Sequence, residues 1–152
     1  VSEFQAVVFY LNNQLCGADT LQVQEIIKYR DVVNIPRMPK FIDGVINIRG
    51  TVVPVVNLNR RFDLGDTKIT SKTKIVVTLI NKKFVGFIVN DVTEIIKFSD
   101  EEVELPPETI YNNGNSFMKF IGKKGEKLIS ILDLSKILTD NEIKRINNKD
   151  VL

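Results

Sequence analysis

Val23-Gln24-Glu25-Ile26-Ile27-Lys28-Tyr29 and Val92-Thr93-Glu94-Ile95-Ile96-Lys97-Phe98 are two versions of one segment, 69 residues apart. The match extends backwards without a gap. Val7-Val8 falls on Val76-Val77, Asn12 on Asn81 and Gly17 on Gly86, making nine identities over positions 7–28. A second register, shifted by 76, lays Pro54–Leu58 over Ser130–Leu134. An internal repeat of this kind means one structural unit used twice, with loops of different length.

The unit reads as β structure. Val7–Leu11 and Leu15–Asp19 are apolar runs around Asn12-Asn13-Gln14, and Ile75–Ile80 and Phe84–Asn90 repeat them around Asn81-Lys82-Lys83. Apolar runs broken by such turn residues predict hairpins. Strands 23–29 and 92–98 follow. Further pairs are expected at 44–48 with 51–57, around Arg49-Gly50, and at 117–123 with 127–132, around Lys124-Gly125-Glu126. Five short strands per half is the pattern of a small barrel or sandwich. Residues 134–138 read as a short helical piece. Thr139-Asp140-Asn141-Glu142 matches a capping box and predicts a terminal helix to about Lys149, anchored by Ile143 and Ile146 and prone to fray. The polar seam between the halves is 63–74, and 106–116 reads as a mobile loop.

Composition removes whole classes of function. The chain has no histidine and one cysteine, Cys16. Ser-His and Cys-His catalysis, a phosphohistidine carrier, histidine-ligated metals, intrachain disulfides and cysteine-cluster zinc sites are therefore out of reach. A lone free thiol fits a reducing compartment. No apolar run approaches the length of a membrane span, and Val1-Ser2-Glu3-Phe4 lacks the marks of a signal peptide. The net charge of +2 lacks the basic excess usual in nucleic-acid binders, which weakens that reading without removing it.

The chemical motifs are equally sparse. Phosphate-loop, dinucleotide, nucleophile-elbow and zinc-protease patterns are missing. Gly122-Lys123-Lys124-Gly125 has hairpin-turn rather than phosphate-loop spacing. The acidic run 100–104 lacks the alternation of a calcium loop and reads as a solvated turn. Glu25 and Glu94 repeat, which argues for a structural or interface role in both copies. No catalytic, metal-binding or cofactor-binding residue is expected. Arg49 lies between apolar strands and needs a carboxylate or solvent for its head group, and Glu25 is the expected partner.

These residues resemble the bacterial chemotaxis coupling (adaptor) family CheW from about Phe4 to Leu138. The motifs are Val23-Gln24-Glu25-Ile26, Pro39 to Gly50 (PKFIDGVINIRG), Val53 to Leu58 (VPVVNL), Gly86 to Val92 (GFIVNDV) and Ile131 to Leu134 (ILDL). Asn57 and Asn90 stand where the family usually carries Asp, keeping shape and dropping charge. The resemblance implies an all-β fold of two tandem five-stranded SH3-like barrels with a short C-terminal helix. The lobes are expected at 1–65 and 73–138, with the helix at 139–152 and exchange of terminal strands between lobes left open.

The resemblance also implies a non-enzymatic role. The family joins the cytoplasmic tip of methyl-accepting chemotaxis receptors to the regulatory domain of the histidine kinase CheA. It implies a cytoplasmic protein, recruited to membrane-associated receptor arrays without inserting in the membrane, binding no nucleic acid and monomeric when alone. On this reading the receptor groove between the lobes takes Val23, Glu25, Ile26, Arg49, Gly50, Gly86, Val92 and Ile95. The kinase contact takes Ile35, Ile42, Asp43 and Gly44. For each apolar position ordinary core is the competing expectation, since strand alternation turns half of them inward. Two alternatives remain at this point. One is a generic double-barrel module for protein or nucleic acid. The other is a CheW-like part of a larger signalling protein.

Overall fold

A computed structural model describes residues 3–111, 114 and 116–147. Its strands, in chain order, are β1 (Phe4–Leu11), β2 (Gln14–Asp19), β3 (Val23–Lys28), β4 (Ile42–Ile48), β5 (Thr51–Asn57), β6 (Lys74–Ile80), β7 (Lys83–Val89), β8 (Asp91–Phe98), β9 (Val103–Glu104), β10 (Met118–Lys124) and β11 (Lys127–Leu132). The helices are α1 (Leu58–Arg61), α2 (Glu108–Tyr111) and α3 (Asp140–Asn147). Leu134–Lys136 is a 3-10 turn, where a short helical piece is expected.

Both expected hairpins form, on two-residue turns. Leu11 pairs with Gln14, and Ile80 with Lys83. Asn12, Asn81 and Lys82 take left-handed φ values of 51, 50 and 66°, the conformation that suits tight hairpins. Gln14 and Lys83 therefore belong to strands rather than turns.

The strands assort into two antiparallel-rich sheets that do not follow the halves of the sequence. A six-stranded sheet runs β8-β1-β2-β11-β10-β9, and a five-stranded sheet runs β3-β6-β7-β5-β4. The first hairpin thus joins strands of the second half, and the second hairpin joins β3, β4 and β5. The exchange is reciprocal in register. Gly86 faces Val55 in the parallel β5–β7 pair, and Gly17 faces Ile131 in the parallel β11–β2 pair. These are repeat-equivalent positions. Stretches 1–65 and 73–138 mark the repeat, while each sheet needs strands from both.

Each sheet curls until its edges meet. Val33, beyond β3, bridges Val45 on β4, and β9, beyond β8, pairs with β10. Three apolar clusters follow. Ile46, Val53, Val55, Ile75 and Ile88 fill the five-stranded lobe. Ala6, Phe98, Ile129 and Ile131 fill the six-stranded lobe. Phe9, Leu11, Val56, Leu58, Val76, Phe87, Leu132 and Leu134 form a larger cluster drawn from both sheets. Burying a Phe, Leu or Ile side chain contributes about 1.5–3 kcal/mol, so this shared cluster binds the lobes together. Strands β6 and β7 are apolar on both faces because one face fills the lobe and the other the junction.

The capping box forms as its spacing requires. The Thr139 N–H donates to the Glu142 carboxylate at 2.7 Å, and the Glu142 N–H donates to Thr139 Oγ1 at 3.2 Å. Ile143 is buried in the shared cluster. The expected extension to Lys149 and its fraying fall on residues 148–152, outside the described residues. Arg61 ties α3 to the body through the Ile137 carbonyl at 2.9 Å and Glu142 at 3.3 Å. Segment 106–116, expected as loop, contains the helical turn α2.

Candidate functional site

The repeated segments β3 and β8 occupy equivalent places on the two lobes. Glu25 faces Val77 on β6, and Glu94 faces Val8 on β1. Both strands carry an irregularity at the same point, leaving Gln24 and Thr93 as the extra residues. A bulge of this kind sharpens strand twist and re-aims the side chains that follow it. Val23 and Val92 sit half-buried against the shared core. Ile26 and Ile95, one repeat apart, are 38% and 62% exposed. An isoleucine so far exposed on each of two related strands is not accounted for by the core.

Arg49 and Gly50 make the two-residue turn between β4 and β5, with φ of 47 and 87°. The Gly50 N–H donates to Asn47 Oδ1 at 2.8 Å, closing the turn. The turn projects Arg49 toward β3, where its Nη2 donates to Glu25 Oε1 at 2.8 Å. This is the pair expected from the sequence. It borders a cavity of about 300 Å³ lined by Gln24, Ile48, Thr51, Val53, Val77 and Phe84. In the other lobe Gly125 holds the position of Arg49, so Glu94 has no counterpart of that cation.

The structure separates the remaining site residues by accessibility. Gly86 is buried within the five-stranded sheet, where an added Cβ would lie 2.8 Å from Ile75 Cγ2. Its close contact is with β6, the antiparallel neighbour of β7, so the position is one of tight packing inside the sheet. Ile42 is buried, and Gly44 is buried with its Cα against the Val33 carbonyl. The Val33 segment closes over Gly44, while Ile42 packs into the shared cluster and keeps an edge on the cleft at Asp43. Ile35 and Asp43 are half-buried and line a cleft of about 630 Å³ with Met38, Arg60 and Asp66. Arg60 donates to Asp43 at 2.8 Å and to Asp66 at 2.9 Å. Burial raises the Asp43 carboxyl above its ordinary range, against the opposing pull of Arg60 and Asn57.

Several accessible apolar residues escape sequence reading. Val33 is 65% exposed and covers the outer side of β4. Phe84, on the cavity at Arg49, and its cross-strand partner Leu79 are exposed, as are Val52 and, on the other lobe, its repeat-equivalent Leu128. The 76-residue shift links Val52 to Leu128, but strand alternation alone could not tell which face is solvated.

Asn57 and Asn90 are both engaged without charge. Asn57 Oδ1 accepts from the Arg60 N–H at 3.3 Å and from Thr67 Oγ1 at 2.9 Å, and Nδ2 donates to Asp43 at 3.3 Å. A carboxamide suits this place, since it can both cap α1 and donate to an acid. Among the described residues no group of three or more acidic or thiol side chains is placed to hold a metal ion.

Comparison with known proteins agrees with this architecture. The family model for the CheW-like domain matches residues 5–142. The chemotaxis protein CheW of Treponema pallidum (strain Nichols) is 29% identical over 150 residues, covering 96% of this chain and 88% of its own. That of Klebsiella aerogenes is 30% identical over 142 residues, covering 93% and 86%. The crystal structure of the scaffolding protein CheW from Thermoanaerobacter tengcongensis superposes with a TM-score of 0.81 at 31% identity, covering 93% of this chain and 92% of that one.

Proposed function

The chain belongs to the CheW-like family, a chemotaxis scaffold family, and on that premise we propose that it couples methyl-accepting chemoreceptors to the histidine kinase CheA by binding both. The observation that carries the reading is the pair of bulged strands β3 and β8. They leave Ile26 and Ile95 exposed on the same strands whose Val23 and Val92 pack against the shared cluster. Exposed apolar side chains rimmed by charge mark protein contact surfaces. The receptor tip, a helical element, docks along that junction with the Glu25–Arg49 pair at its rim. The regulatory domain of the kinase docks on the outer end of the five-stranded lobe, through Ile35, Asp43 and the exposed Val33.

The role is binding rather than catalysis. Two weak contacts on separate faces gain strength when many copies are held in one array, since the second contact becomes effectively intramolecular. Among the described residues no helix is long and apolar enough to cross a membrane. Attachment to membrane-associated arrays then comes through the receptors.

The test is a sedimentation titration of the full chain against the kinase regulatory domain and, separately, a receptor-tip fragment. Ile95→Glu should weaken receptor binding at least about tenfold and leave the kinase complex intact, while Val33→Glu should do the reverse. Absence of a saturable complex with either partner at high micromolar concentration would defeat the proposal.

A further inference from the structure

The chain passes between the two sheets at two places. One is the 3-10 turn Thr20–Gln22 between β2 and β3, and the other is Asn90 between β7 and β8. Both passages are pinned by side-chain amides. At the first, Gln22 Nε2 donates to Asp133 at 2.7 Å, and Gln22 Oε1 accepts from the Leu134 N–H at 3.0 Å.

The second pin is larger and made without formal charge. Asn90 Oδ1 accepts from the Asn12 N–H at 2.6 Å, in the hairpin turn of the six-stranded sheet. The same oxygen accepts from Asn59 Nδ2 at 2.9 Å, in α1 at the end of the five-stranded sheet. Asn59 is fully buried and also donates to Thr67 Oγ1 at 2.7 Å, and that hydroxyl donates to Asn57 Oδ1 at 2.9 Å. The connector between the halves is held there too. The Leu64 N–H donates to the Asn59 carbonyl, and Asn12 Nδ2 donates to the Leu64 carbonyl.

We infer that Asn90 is a positioning residue that sets the tilt between the lobes, and so the width of the receptor-docking junction. The inference rests on the docking reading proposed above. The physical reason lies in directionality. The shared apolar cluster holds the lobes together, but hydrophobic contact is non-directional and tolerates small rotations. Hydrogen bonds to one oxygen from two sheets fix an angle as well as a distance. Val92, on the wall of the junction, is two residues from Asn90, so a rotation at Asn90 is carried straight into that wall. Buried networks that are nearly satisfied rigidify and specify one arrangement.

The test uses the full chain. Inter-lobe orientation is measured from residual dipolar couplings of the free protein, and affinity from titration with the receptor-tip fragment. Asn90→Ala removes the shared acceptor. It should change the fitted tilt while each lobe keeps its internal couplings, and it should weaken receptor binding severalfold or more. Asn90→Asp keeps an acceptor oxygen for both donors and should restore the tilt and the binding. Thr67→Val, a milder change of similar shape, should shift the tilt in the same direction by less, and it serves if Asn90→Ala fails to fold. Wild-type couplings between lobes in both Asn90→Ala and Thr67→Val would overturn the inference, as would failure of Asn90→Asp to restore the tilt. A changed tilt with unchanged receptor affinity would uphold the positioning role and overturn the docking reading beneath it.

Discussion

Replacing Gly44 with alanine should destabilise the five-stranded lobe by about 3–5 kcal/mol. Gly44 has φ of 144°, which L residues rarely adopt, and an added Cβ would lie 2.0 Å from the Val33 carbonyl oxygen and 2.7 Å from its carbon. Forcing a side chain into such a conformation costs about 1–3 kcal/mol. The clash falls on backbone, so it is relieved only if the Val33 segment withdraws. Withdrawal breaks the Val33 N–H to Val45 O and Val45 N–H to Val33 O bonds, both 2.9 Å, each worth about 1 kcal/mol net. Urea unfolding followed by circular dichroism reads the sum, and amide exchange at Val33 and Val45 reads the bridge. The control is Gly50→Ala. Gly50 also has positive φ, 87°, but nothing lies within 4 Å of its added Cβ, so only the backbone strain of about 1 kcal/mol remains. A Gly44→Ala cost no larger than the Gly50→Ala cost, with the bridge amides still protected, would refute the reasoning. Partner-binding losses in Gly44 variants would then, and only then, be readable as lost contacts.

Other outcomes follow from named residues. A double-mutant cycle on Glu25 and Arg49 should give a coupling of only about 0.2–1 kcal/mol, reduced by salt, because Arg49 is 75% exposed; zero coupling at low salt would show the pair to be two independent charges. Burial works against ionisation of Asp133, but hydrogen bonds from Ser135 and Gln22 outweigh it and hold the carboxyl below its ordinary range. Its contribution is therefore full above the unfolded value of about 3.9 and is lost as pH falls through the lower folded value. The stability gap between wild type and Asp133→Asn should be constant near neutrality and shrink in acid, and a gap that widened in acid would contradict the sign. Asp43, raised by burial, contributes the opposite slope, with stability falling as pH rises through its window. Burial pushes the Cys16 thiol up to about 12, so native protein at pH 8 should label with a disulfide reagent only as fast as it unfolds, and rapid stoichiometric labelling would count against that burial.

The elements of the fold were legible because their signals are local. Hairpin turns at Asn12 and Asn81, the turn at Arg49-Gly50 and the capping box at Thr139 are each decided by a few adjacent residues, and each formed where its chemistry stands. The Glu25–Arg49 pair could be anticipated because an arginine between apolar strands has few places to go. The Val33 bridge was invisible, since one residue in an irregular segment carries no periodicity. Gly86, Ile42 and Gly44 illustrate a related difficulty. A motif rich in glycine and apolar residues marks a demanding place, but close packing and partner contact make the same demand on residue type. Only accessibility separates them, and it sends these three inward and Val33 outward.

The amino-acid sequence by itself determined that this is a duplicated β protein without the side chains for histidine or cysteine-pair chemistry, and its motifs determined the family. Repeat, turn and cap signals depend on neighbours in the chain, so they can be read along it. Which sheet each hairpin joins was decided only in three dimensions. The repeat shows two equal units, and equal units can pair within themselves or with each other at the same local cost. The choice falls to long-range packing, where Gly17 lets its parallel neighbour Ile131 approach closely and a shared apolar cluster draws on both halves. The amide pin at Asn90 follows from that choice, because its partners at Asn12 and Asn59 lie 78 and 31 residues away and meet it only once the strands have exchanged.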